Sequence, residues 1–183
     1  MRYNPDIHKR KSIRLKGYDY SRAGMYFITI CTYNRECLFG EIVNEEIILN
    51  EYGRIVENEI LKTEEIRKNI KIDKFVIMPN HIHLIIEIIM DDEKQIIDKN
   101  KEIKEESKKL KSPSDNVGAV VRAIKSQVTA NINKKRNSKG MQIWHRNYYD
   151  NIIRNEEMYL KIDRKSTRLN SSHRSLSRMP SSA

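Results

Sequence analysis

The run Phe75-Val76-Ile77-Met78-Pro79-Asn80-His81-Ile82-His83-Leu84-Ile85-Ile86 constrains the chain more than any other. Two strand-like segments, Phe75 to Met78 and Ile82 to Met90, meet at Pro79-Asn80, a pair suited to a turn because proline fixes φ and asparagine tolerates tight backbone geometry. Residues i and i+2 of a strand share a face, so His81 and His83 project side by side while Ile82, Leu84 and Ile86 turn to the core. Two imidazoles so placed can share one divalent ion at about 2.0–2.2 Å per ligand, with positions left open for a substrate oxygen. An isolated His-x-His more often marks two ordinary strand histidines. Glu87 shares their face but lies roughly 13 Å beyond His83, so a third ligand must come from elsewhere.

The other elements suggest one α+β domain. Met25 to Thr32 is rich in β-branched and aromatic residues, and Cys37 to Ile42 follows at hairpin distance, which predicts two antiparallel strands. From Asn50 onward Tyr52, Ile55, Val56 and Ile60 form the buried stripe of a surface helix. Val117, Val121, Ile124, Val128 and Ile132 mark another helix, whose other face carries Arg122, Lys125, Ser126 and Thr129. Ile143 to Tyr149 reads as a loop or short strand, and Asn155-Glu156-Glu157 as a capped helix start. The order predicts an antiparallel sheet with helices packed on one face. Residues 91–116 are almost wholly polar and charged, and are expected to form a mobile insertion or a solvated helix.

Charge narrows the partner. With 35 Lys+Arg against 25 Asp+Glu the formal charge is +10, which favours nucleic acid first and an anionic membrane surface second. No apolar run approaches the roughly 20 residues of a membrane span, and the start has no signal-peptide core. Cys31 and Cys37 lack the neighbours of a zinc site or disulfide framework, so a cytoplasmic setting is expected. Residues 1–22 combine cations with Tyr18 and Tyr20. Such a segment cannot form a core alone.

His-hydrophobic-His after Met-Pro-Asn resembles the HUH motif of single-tyrosine transposases. Further blocks resemble the branch associated with repetitive extragenic palindromes, the REP-associated tyrosine transposases. They are Lys11 to Tyr20, Phe27 to Thr32 followed by Asn34-Arg35, Val121-Arg122-Ala123-Ile124-Lys125-Ser126, and Ile143-Trp144-His145-Arg146-Asn147-Tyr148-Tyr149-Asp150. The similarity runs from about residue 9 to residue 162, broken only by the polar insertion. It implies a ferredoxin-like fold over residues 23–162, with Mg²⁺ or Mn²⁺ held by His81 and His83. It also implies a helix-borne tyrosine that attacks a phosphodiester of single-stranded or hairpin DNA, leaving a 5′-phosphotyrosyl link and a free 3′-hydroxyl. A phenol of pKa near 10 needs a phosphate polarised by metal for that step. A basic, aromatic arm over residues 1–22 suits such DNA, since cations follow phosphate and rings stack on unpaired bases. The DNA-contacting residues expected are Arg14, Lys16, Tyr18, Tyr20, Lys125 and Arg146, and the chain is expected to be a monomer or homodimer. Trp144 is expected in the core.

The pattern breaks near the end of this sequence. After Tyr159-Leu160-Lys161-Ile162-Asp163-Arg164 the family would place its nucleophilic tyrosine where this chain has Lys165, and a polar metal ligand where it has Leu169. Residues 163–173 can be read codon by codon as a common sequencing-library adapter, and 177–183 fit its far end. Residues 163–183 are therefore expected to be a non-native tail that neither packs nor holds a helix. Setting aside its +4 leaves +6 for residues 1–162. The expectation is a carboxy-terminally truncated transposase that has lost its nucleophile. The alternatives are a non-catalytic binder of structured nucleic acid, which needs no metal, and a protein-interaction domain, which would show no salt-dependent nucleic-acid binding.

Overall fold

The computed structural model describes residue 15, residues 17–89 and residues 116–167. Arg14, Lys16, most of the polar insertion and residues 168–183 of the expected tail lie outside the described residues.

Four strands form one antiparallel sheet. They are β1 (Gly24–Cys31), β4 (Ile70–Met78), β5 (His81–Ile88) and β6 (Tyr149–Ile153), in the order β4-β5-β1-β6. A separate two-stranded sheet pairs β2 (Gly40–Val43) with β3 (Glu46–Leu49). The helices are α1 (Glu51–Ile66), α2 (Val117–Lys135) and α3 (Glu156–Thr167). Asn50 and Asn116 cap the first two, each accepting backbone N–H groups of the first turn through its side chain.

Alternation in the strands decides which face is covered. Tyr26, Ile28 and Ile30 of β1 stand opposite Ile86, Leu84 and Ile82 of β5, and all six are fully buried. Val56 and Ile60 of α1 pack on this face with Val121, Ile124, Val128 and Ile132 of α2. Gly53 permits a close approach: a Cβ there would lie 2.2 Å from the Phe39 carbonyl oxygen.

The odd-numbered face carries His81 and His83, which stand opposite Met78 and Val76 of β4. Here α3 departs from the expectation that all helices share one face. Lys74, opposite Ile85 and so on the histidine side, bonds Asp163 of α3 at 2.6 Å. Half-buried Met158, Tyr159, Ile162 and Asp163 recur at helical spacing on the inner side of α3.

Three further expectations are corrected. Cys37 to Ile42 does not pair with β1, because β5 and β6 occupy both edges of that strand. The chain instead leaves β1 through a 3-10 turn, Tyr33–Arg35, and pairs Gly40–Val43 with the following strand across Asn44 and Glu45, both at positive φ. β4 begins at Ile70, five residues before the expected Phe75. The helix expected to stop by residue 162 continues through Thr167, anchored by the Asp163 carboxylate.

Candidate metal centre and nucleic-acid surface

His81 and His83 come together as alternation requires: their Nε2 atoms lie 3.2 Å apart, with ring centroids at 4.7 Å. The other nitrogen of each ring has its own partner. His81 Nδ1 lies 2.7 Å from Asn80 Oδ1, which can only accept, so Nδ1 carries the proton and Nε2 keeps its lone pair. His83 Nδ1 lies 2.8 Å from Thr29 Oγ1, the residue directly opposite it on β1. A hydroxyl both donates and accepts, so Thr29 suits either tautomer of His83. With Nε2 protonated, His83 donates to His81; with Nδ1 protonated, both Nε2 lone pairs point into the same space. Phe27 stacks on the His83 ring at 5.1 Å and fixes its plane.

Burial pushes both imidazoles below the ordinary histidine range. His83 falls to about 4, helped by its histidine neighbour, and the charge of Arg35 adds to the effect on His81. Both rings are therefore neutral near pH 7, the form that binds metal. For bonds of about 2.1 Å, the 3.2 Å separation corresponds to an N–metal–N angle of about 100°, between octahedral and tetrahedral values. The pair fits a divalent ion as two ligands. Among the described residues no group of three His, Cys, Asp or Glu side chains gathers to hold a metal.

The site end of the sheet is tied down by Thr32. Its N–H donates to the Asn80 carbonyl at 3.0 Å, and its hydroxyl lies 2.9 Å from the carbonyl oxygens of both Asn80 and Glu36. The turn bearing Arg35 is thus fixed beside the residue that orients His81. Asn34 and Arg35 both have positive φ, at 51° and 56°.

The expected DNA contacts divide into two groups. Tyr18 and Tyr20 pack edge to face at 5.1 Å and lie against Tyr26, on the sheet face opposite the histidines. Both rings are half-buried there. Lys125 and Arg146 do come together, since Lys125 Nζ donates to the carbonyls of His145 at 2.7 Å and Arg146 at 3.1 Å. Desolvation lowers the Lys125 pKa. Trp144 is buried, its ring against Phe39 and its N–H donated to the Lys125 carbonyl. The backbone at Lys165 is helical.

Sequence reasoning overlooked Thr29 and the second role of Asn80. Asn80 is legible only as a turn residue, and Thr29 becomes informative only once the β1–β5 register is known.

No family model matches the chain. Among solved structures, it is similar to a REP-associated tyrosine transposase bound to a REP hairpin, at a TM-score of 0.51 and 18% identity, over 81% of this chain and 67% of the other. The chain therefore shares the fold of that transposase. In sequence it is 44% identical over 161 residues to a Haemophilus influenzae protein described as uncharacterized, covering 88% of each. The chain belongs to the same family as that protein. No helix among the described residues is long and apolar enough to cross a membrane.

Proposed function

We propose that this chain is a transposase-type binder of hairpin DNA with an unpaired flank, which holds a phosphate of that flank at His81 and His83 but does not cut and join it. The observation that carries this reading is the convergence of two neutral imidazole nitrogens at 3.2 Å, each backed by its own hydrogen-bond partner. The transposase fold, and the hairpin bound in the similar structure, support DNA of that form.

His81 and His83 would hold Mg²⁺ or Mn²⁺, which when bound supplies Lewis-acid polarisation of a phosphate oxygen. The chain's own residues do the rest. Asn80 and Thr29 hold the rings, Phe27 and burial keep them neutral and partly dry, and Arg35 offers positive charge at the same end. What is lacking is a nucleophile: Lys165 stands where the resemblance places tyrosine, and Leu169 where it places a further ligand. A non-catalytic binder of structured nucleic acid that uses no metal at all is the second reading, favoured by the incomplete ligand set among the described residues.

The test measures binding of the full chain to a hairpin with an unpaired flank, an unpaired strand and a blunt duplex, with Mn²⁺ or with chelator. The flanked hairpin is expected to bind tightest, with affinity falling as salt rises and a Mn²⁺-dependent increment that His81→Ala abolishes. Equal affinity for all three DNAs would sink the proposal. Full-strength binding under chelator would leave the second reading.

A further inference from the structure

A groove of about 1080 Å³ lies between α2 and the chain from Asn137 to Tyr148, and it does not include the histidine pair. Its cationic lining residues are Arg122, Lys125, Lys134, Lys139 and Arg146, and among the described residues no aspartate or glutamate lines it. The walls are held in place by hydrogen bonds. Lys125 Nζ reaches two carbonyls across the groove, Trp144 Nε1 donates back to the Lys125 carbonyl at 3.2 Å, and Asn133 Nδ2 donates to the Met141 carbonyl at 2.9 Å. Such ties fix the two walls that carry the cations before any ligand arrives.

We infer that this groove binds the phosphate backbone of base-paired DNA, as a second site separate from the histidine pair. The inference rests on the DNA-binding reading above and names where the paired part of the ligand lies. Two observations favour paired over unpaired strands. Sites for unpaired strands combine cations with rings on which bases stack, but the groove's aromatics are otherwise engaged: Trp144 is 4% exposed and Tyr148 packs against the core. Backbone recognition needs only cations and donors, and Arg122 to Lys134 spans about 18 Å along α2, roughly five phosphate steps of one strand.

The placement also connects the two sites. The loop wall is bonded to the end of β1, with Tyr33 N–H donating to the Ile143 carbonyl at 2.8 Å and His145 N–H to the Cys31 carbonyl at 2.9 Å. Cys31 stands opposite His81 on the next strand. The wall is therefore two strand spacings, about 10 Å, from the histidine strand.

The test uses the full chain, with chelator present, and fluorescence anisotropy on a labelled blunt duplex, a flanked hairpin and an unpaired strand. The variant reverses three exposed cations (Lys134→Glu, Lys139→Glu, Arg146→Glu). Arg54→Glu, Lys68→Glu, Lys161→Glu, all exposed and outside the groove, is the control for net charge, and Lys134→Gln, Lys139→Gln, Arg146→Gln is a milder version should the first melt early. The expected result is at least tenfold weaker binding of duplex and hairpin, a salt dependence shallower by about 0.9 in slope for each phosphate no longer neutralised, and binding of the unpaired strand changed less than threefold. Wild-type binding with no effect of the variants would overturn the groove and leave the histidine-site reading standing. Equal weakening for all three DNAs would overturn the assignment to paired DNA. No DNA binding by the wild-type chain would overturn both, and equal affinity for polyglutamate would assign an acidic polypeptide instead.

Discussion

The Tyr159 hydroxyl donates to Asp73 Oδ2 at 2.7 Å, with the ammonium of Lys74 5.5 Å from the centre of its ring. Asp73 lies three residues along β4 from Val76, the partner of His83, so this phenol is held roughly 10 Å from the histidine pair along the strand. Burial, then the bond to Asp73, raises its pKa above the ordinary tyrosine value. Tyr159 is both misplaced and less ready to ionise. It precedes position 165 by six residues, about 240° around the helix and 9 Å back along it.

No covalent protein–DNA adduct is therefore expected when the chain is incubated with a labelled flanked hairpin and Mn²⁺, then denatured. Lys165→Tyr is expected to stay negative as well. The helix does run through that position, but Leu169, four places on, has no metal-binding atom. An adduct from the unmodified chain, mapped to any tyrosine, would contradict this account.

Metal binding should be weak and sensitive to the groups behind the rings. Calorimetry with Mn²⁺ is expected to show an interaction that the double variant His81→Ala, His83→Ala abolishes. Thr29→Val should weaken it about 10-fold or more, as loss of an outer partner does elsewhere. Identical isotherms for wild type and the double variant would remove the site.

The buried His83 sets a pH dependence. Its folded pKa of about 4 lies below the unfolded value near 6.5, so between those values the unfolded chain takes up a proton that the folded chain refuses. Stability contributed by the neutral ring is complete above about pH 7 and falls as pH drops from about 6.5 toward 4. The full effect is on the order of 3 kcal/mol at most. Urea unfolding at pH 7, 5.5 and 4.5 should show this fall in the wild type and a flatter profile in His83→Gln. Parallel profiles would count against the buried neutral ring.

Packing of α1 gives a test of the fold itself. Gly53→Ala should gain up to about 1 kcal/mol of helix propensity, yet its methyl would meet the Phe39 carbonyl. A net loss of about 1–3 kcal/mol is expected from thermal melting. An unchanged or raised Tm would mean that α1 does not approach Phe39 so closely.

The sequence and structure agree most where periodicity is strict. Ile82, Leu84 and Ile86 alternate with the histidines, and Val121, Ile124, Val128 and Ile132 recur at helical spacing, so both faces can be read directly. β4 reads short in sequence because Lys71 and Asp73 interrupt its apolar run, and the register shifts between Ile72 and Lys74. β3 is only four residues long, and its turn uses Glu45, an unusual residue at positive φ. The hairpin expected for Cys37–Ile42 does not form because local sequence does not reveal which distant strands will occupy the edges of β1. Of the site, the histidines are visible in the sequence and their supports are not, since Thr29 meets His83 across 54 residues of chain.

Thr32 links the β1 end, the Asn80 turn and the Arg35 turn through one buried residue, so the scaffold around the imidazoles forms together with the central strands. Little of it remains to be ordered when a ligand arrives. The affinity of the proposed metal site at His81 and His83 is then expected to be limited by the number of bonds formed and not by the entropy of arranging them. Its signature is a heat-capacity change near zero on metal uptake and backbone amides at Thr32 and His81 that exchange with solvent at the same slow rate before and after.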